Sequence, residues 1–196
     1  MKKSWIVIAI IIIIGILLYS WVKGAYNQMV TQSETVDKHW ADVENVYQRR
    51  ADLIPNLVAT VKGYASHERE TLEGVINARA KATQTTINTG ELTPESMAAF
   101  QQAQDGLSSA LSRLMVVVER YPDLKANQNF LELQAQLEGT ENRITIERQK
   151  FNEAARQYNT YIKLFPKNML ANLFGFDVKP YFEAQQGAET APEVEF

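Results

Sequence analysis

Cysteine is absent from this chain, which excludes disulfide frameworks, thiolate metal sites, thiol catalysis and a lipid-modified cysteine anchor. The compartment stays open, because a chain without thiols suits oxidising and reducing surroundings alike. Histidine occurs twice, as His39 and His67. His67-Glu68 opens like a zincin motif, but the second imidazole needed four residues on, for one metal to be reached from one helix face, is replaced by Thr71. No Glu-x-x-His is present, so a paired-glutamate di-iron bundle is excluded as well. There is no G-x-S-x-G elbow and no glycine-rich phosphate loop. Gly63, Gly74, Gly90, Gly106 and Gly139 are dispersed, as turns and close helix crossings require. A basic excess is lacking too: 20 Lys and Arg against 23 Asp and Glu leave a net charge of −3, with no electrostatic case for nucleic acid. The residues therefore nominate no catalytic group, no metal ligand set and no cofactor, and the expectation is a protein that is not an enzyme.

What is present reads as helix. Nine Gly and six Pro in 196 residues, with abundant Ala, Gln, Glu and Leu, indicate an all-α chain. Trp5 to Val22 carries no charge, and eighteen such residues span roughly 27 Å of helix, enough for a bilayer core. Trp5, Tyr19 and Trp21 bracket the run where aromatic belts sit. A cleaved signal peptide would share the basic start and apolar run. The run is longer than a usual signal core, however, and its exit, YSWVKGAYN, is bulky where small residues are expected. Residues 1–24 are accordingly expected to form a single-pass anchor that meets the lipid bilayer through residues 5–22. Lys2, Lys3 and the amino terminus outweigh Lys23 and Lys38, which Glu34 and Asp37 offset. That asymmetry places the amino terminus in the cytoplasm and the bulk of the chain outside.

Residues 25–184 carry long stripes at alternating three- and four-residue spacing. The first is Val36, Trp40, Val43, Tyr47, Arg50, Ile54, Leu57, Val61 and Tyr64, the seam of a helix packing along other helices. Only Gly24 separates this helix from the membrane run. Pro55 removes one helical hydrogen bond and clashes with the Ala51 carbonyl, so a kink or break is expected there. Leu72, Val75, Ile76 and Arg79 mark a further helical segment over 66–82, and Thr83–Glu91 reads as a loop. Thr93, Pro94 and Glu95 make a helix start. The stripe behind it is Met97, Phe100, Gln104, Leu107, Leu111, Leu114, Val118 and Tyr121, ended by Pro122. A last long helix runs from 123–129 to Pro166, with Phe130, Leu133, Leu137, Thr140, Ile144, Glu147, Phe151, Ala155, Tyr158, Ile162 and Phe165 as its stripe. These helices describe an elongated antiparallel four-helix bundle. Residues 185–196 are acidic and without Lys or Arg, as in a disordered tail.

Two groups of residues stand out within the bundle. Arg49, Arg50, Asp52 and Asn56 on the first arm can be brought level with Glu141, Asn142, Arg143 and Arg148 on the last. That set either lines a pocket for a ligand or partner, or forms ion pairs that fix helix register. Leu170, Leu173, Phe174, Phe176, Tyr181 and Phe182 either cap the open end of the bundle or form an apolar patch for a neighbouring subunit or the membrane interface.

YNQMV (26–30), RRADLIPNLVATVKGYASHE (49–68), ENRITIERQKFNEAARQYNTYIKLFP (141–166) and GFDVKPYFEA (175–184) resemble the LemA family, in order and at matching separations. The resemblance covers nearly the whole chain outside the 83–95 loop and the final tail. It implies an amino-terminal membrane helix and a four-helix bundle, and it supplies no catalytic residues to carry over. The expectation is a membrane-anchored scaffold or interaction module in a bacterial inner membrane, a homo-oligomer with long stripes for side-by-side assembly. An alternative is an accessory regulator of a membrane-protein partner, such as a quality-control protease.

Overall fold

A computed structural model of the protein describes residues 2–87 and 92–183, with side chains from residue 4 onward. The acidic tail expected at 185–196 and part of the expected 83–91 loop lie outside the described residues. Six helices follow one another: α1 (Lys2–Tyr64), α2 (Arg69–Gln84), α3 (Pro94–Val118), α4 (Pro122–Lys125), α5 (Gln128–Lys163) and α6 (Lys167–Phe174), with no strand among the described residues.

α1 is one uninterrupted helix of 63 residues. Residues 4–21 are exposed along it, and from Ala25 onward one stripe is buried. A single N-terminal helix of this length and apolarity fits membrane anchoring. Of the kink or break expected at Pro55, the break does not occur: α1 continues through it, with a tertiary partner for the carbonyl that proline orphans. Proline withdraws the N–H that would bond the Ala51 carbonyl, and Arg79 of α2 supplies the missing donor, Nε to the Ala51 oxygen at 2.7 Å.

The seam of α1 is buried from Val36 to Val61, whereas its last member, Tyr64, is 45% exposed. α5 packs antiparallel along α1, Trp40 meeting Phe151 and Arg50 meeting Glu141. α2 returns beside α1 and α3 runs back along α2: Gln104 reaches the Ala82 carbonyl at one end, and Tyr121 reaches Glu68 at the other. α3 starts at a capping box. Thr93 Oγ1 accepts from the Ser96 N–H, the Thr93 N–H reaches Ser96 Oγ, and Pro94 occupies the first turn. The short α4 follows Pro122, and Asn127 caps α5 by accepting from the Phe130 N–H at 3.0 Å. Ile76 and Phe165, both expected on buried stripes, are exposed at 50% and 81%.

The interior divides into two regions along α1. The region nearer the apolar end is aromatic, built on Trp40, Tyr47, Phe100, Phe151, Tyr158 and Phe182. The farther region is aliphatic, built on Ile54, Leu57, Val61, Val75, Leu107 and Leu114. α2 covers only the farther one. The nearer region is completed by Ile87 and Leu92 before α3 and by the extended stretch 176–183 after α6. Gly175, at φ +75°, permits the reversal that leads out of α6, and the Phe176 N–H bonds the Ala171 carbonyl there.

Candidate functional site

Arg50 sits on the boundary between the two core regions with 2% of its surface exposed. A guanidinium carries five N–H donors and no acceptor, so burial requires acceptors from several directions. Its Nη1 donates to Glu141 Oε1 at 2.6 Å and to Ser108 Oγ at 2.9 Å, and its Nη2 donates to Gln104 Oε1 at 2.7 Å. The carbon of the fork lies 5.1 Å from the centroid of the Tyr47 ring. Gln104 then passes the connection on, its Nε2 donating to the Ala82 carbonyl at 3.3 Å. One side chain of α1 thus ties α3 and α5 directly and α2 through Gln104. Its Nε has no hydrogen-bond partner among the described residues.

The remaining members of the expected polar set lie elsewhere. Arg49, Asp52, Asn56, Asn142 and Arg143 are exposed. Asp52 accepts from Gln48 at 2.7 Å, one turn back on its own helix. Arg148 makes its contacts away from Arg50: it covers the Phe182 ring at 4.6 Å and donates to the Glu183 carbonyl at 2.9 Å. The partners that sequence reading left out are Gln104 and Ser108. The one available signal was Gln104 itself, a polar side chain on an otherwise apolar stripe.

A cavity of about 300 Å³ opens outside this layer, between α3 and α5. Leu111, Met115 and Leu137 give it apolar walls, and Arg50, Ser108 and Glu141 form its inner side. Its chemistry is poor in reactive groups. The Arg50 guanidinium is taken up by Glu141, Ser108 and Gln104, and the Ser108 hydroxyl accepts from Arg50 and donates to the Gln104 carbonyl at 3.2 Å, so its proton is held by a backbone oxygen.

The aromatic carboxy-terminal residues divide between surface and core. Phe182 is buried and stacks on Trp40 at 6.0 Å between ring centroids, with Phe151 edge-on at 5.5 Å. Phe176 packs on the core partly buried, Phe174 and Tyr181 are near half exposed, and Leu173 is 74% exposed. The 176–183 stretch has no strand to pair with, so side-chain amides take that role. Asn159 accepts from the Lys179 N–H at 2.9 Å and donates to the Lys179 carbonyl at 2.8 Å. Asn152 does the same for both backbone groups of Phe182, at 2.8 and 3.0 Å. Gln101, from α3, bridges both backbone groups of Glu183 at 3.3 and 3.4 Å.

His39 is less isolated than the sequence suggests. Its Nδ1 lies 3.6 Å from Asp42, and Glu147 of α5 joins them, with one donor atom from each within 4.8 Å of the others. Three donors are one short of a closed tetrahedral site, and Lys150 already engages Glu147 at 2.9 Å. His67 is exposed in the turn after α1, and Glu68 receives Arg120 at 3.0 Å, so the zincin-like pair is not placed on one helix face.

Two magnetosome proteins, MamQ 1 and MamQ 2 of Paramagnetospirillum magneticum, are each 28% identical over 186 residues, covering 84% of this chain and 67% of theirs. A protein named LemA from Metamycoplasma hominis is 22% identical over 185 residues, covering 94% of this chain and 80% of its own. None of these names denotes an enzyme. The model of the LemA family matches residues 39–196, from the Trp40 end of the seam through the aromatic carboxy-terminal segment, and the chain belongs to the LemA family.

Proposed function

We propose that α1, α2, α3 and α5 form one four-helix bundle held at a bacterial inner membrane by the first part of α1. On this reading the protein is a self-assembling scaffold or interaction module without enzymatic activity. The observation that carries it is α1 itself: one helix is lipid-compatible over residues 4–21 and core-forming from Ala25 to Val61. The most suggestive polar group, Arg50, uses both terminal nitrogens of its guanidinium to join helices, which supports a structural use of that layer. Relatives named for the magnetosome, and not for a reaction, support the same reading.

The amino terminus is cytoplasmic and the bundle extracytoplasmic, as the excess of Lys2 and Lys3 favours. Because the chain has no cysteine, single introduced cysteines at exposed Asp52 and Gln136 test this with a membrane-impermeant thiol reagent on intact cells. Labelling from outside is expected, and labelling only after lysis reverses the orientation.

Self-assembly is tested by particle mass in mild detergent, for the full chain beside one lacking residues 1–24. Large particles from both place assembly in the bundle, and large particles from the full chain alone place it in the membrane helix. Monomers from both would end the self-assembly reading and turn the search, by crosslinking, to a partner membrane enzyme.

A further inference from the structure

The pairings Trp40–Phe151 and Arg50–Glu141 advance ten residues on each helix, which sets Lys163 level with about residue 28 of α1. α5 therefore ends close to the apolar run, and α6 packs there too. Phe174 and Phe176 meet the Tyr26 ring edge-on at 5.1 and 5.5 Å, and Tyr26 stands only four residues, roughly 6 Å, beyond Val22. Ala171 is buried on the inner face of α6, while Met169 and Leu173, one turn apart on the other, are 63% and 74% exposed. Phe165, at the corner before α6, is 81% exposed. An apolar set this exposed needs a covering surface, and its position says which.

Charge points the same way. No Asp or Glu occurs between residues 1 and 33 or between 163 and 176, while Lys23, Lys163 and Lys167 fall in those stretches. A layer with lysines, no carboxylates and protruding apolar side chains suits the headgroup boundary of an anionic bilayer. We infer that the α5–α6 corner is a second membrane contact, in which Phe165, Met169 and Leu173 enter the lipid interface while Lys163 and Lys167 meet anionic headgroups. This rests on the reading that α1 spans a bilayer. Because α1 already holds the corner at the surface, the effective concentration of lipid is high and a short helix suffices. The contact would fix the bundle's rotation about α1 and its distance from the membrane.

The test uses the full chain in nanodiscs of phosphatidylcholine, alone or mixed with phosphatidylglycerol. Nitroxide labels are placed singly by Ile12→Cys, Leu173→Cys and Val116→Cys, the last an exposed apolar position far from the corner. Relaxation by oxygen, which concentrates in lipid, is compared with relaxation by an aqueous nickel chelate. The expected result is oxygen dominance at 12 and 173 and chelate dominance at 116. Changing Lys163 and Lys167 together to Glu moves the 173 label toward the aqueous order in discs containing phosphatidylglycerol. Chelate dominance at 173 with oxygen dominance at 12 overturns the inference and leaves the anchor standing. Chelate dominance at 12 removes the anchor reading first. Dipolar broadening at 173 that disappears on dilution with unlabelled chain assigns the patch to a second copy and also overturns the inference.

Discussion

Pro55 and Arg79 show how one residue's defect becomes another's role. The Ala51 carbonyl, orphaned by proline, is a partly buried acceptor, and leaving it unpaired costs about 1–3 kcal/mol. Arg79→Ala should lose about that much, read from urea unfolding of the helical circular dichroism signal. In a Pro55→Ala background the helix supplies its own donor to Ala51, so the same Arg79 change should cost roughly 1 kcal/mol less. Equal costs in both backgrounds would show that Arg79 stabilises by packing alone. Arg50 and Glu141 give an asymmetric pair, since the Arg50 side chain is 2% exposed and Glu141 is 47% exposed. Arg50→Ala strips Gln104 and Ser108 of their donor and should cost about 3 kcal/mol or more. Glu141→Gln keeps an acceptor at a hydrated position and should cost less than about 1 kcal/mol. Similar costs from the two changes would contradict a buried hub at Arg50. Tyr158 supplies the pH dependence. Burial, reinforced by Asp177 and Asp37, pushes its hydroxyl up to about 12 from 10.0. The folded state then holds the proton more tightly than the unfolded one, so this contribution is complete below about pH 10 and is lost as pH rises toward about 12. Tyr158→Phe should flatten the fall in stability between about pH 10 and about pH 12, while an unchanged slope would assign the alkaline loss to other groups.

At the scale of elements, most of what periodicity could signal was legible. The α1, α3 and α5 stripes follow from apolar side chains recurring on one helical face, and the buried seam from Val36 to Val61 agrees residue by residue. What was not legible depends on distant partners. Nothing near Pro55 announces that Arg79 will stand beside it, so local rules predict a break. Phe165 continues the α5 stripe in register, yet the helix stops at Lys163 and the side chain is 81% exposed. The 176–183 stretch lacks any repeat, because its order comes from Asn152, Asn159 and Gln101 on other elements. The two asparagines are seven residues apart on α5, two turns on one face, a spacing recognisable only once an extended chain lies over them. Changing both to Asp keeps the acceptors and removes the donors to the Lys179 and Phe182 carbonyls. Hydrogen exchange across 176–183 should then quicken by about tenfold or more, with the Leu57–Val61 backbone unaffected. Uniform loss of protection along the whole molecule would mean that the stretch is integral to one cooperative core.

At the scale of the whole molecule, the proposed anchor and the proposed bundle share one unbroken helix, α1, which on that reading would make them one mechanical body. A helix loses stiffness where its hydrogen bonds are interrupted or its side chains permit other dihedrals. Between Val22 and the first buried residue, Ala25, Gly24 is the one such position, and the helix passes through it. The α6 corner, seated on Tyr26, braces the same level. From Val22 to Tyr64, at 1.5 Å per residue, the bundle should stand roughly 60 Å along the anchor's axis. Single-particle images of the full chain in nanodiscs should show one narrow height, whereas a short Gly-Ser insertion after Gly24 should spread both height and tilt while leaving thermal unfolding of the bundle unchanged. A scaffold that assembles side by side needs this, because neighbouring bundles match their stripes only if each leaves the bilayer at the same angle. If the inserted chain keeps the narrow height, the angle is set by the α6 contact and not by helix continuity. If the natural chain is already broad, α1 bends at the membrane and the rigid-scaffold reading falls with it.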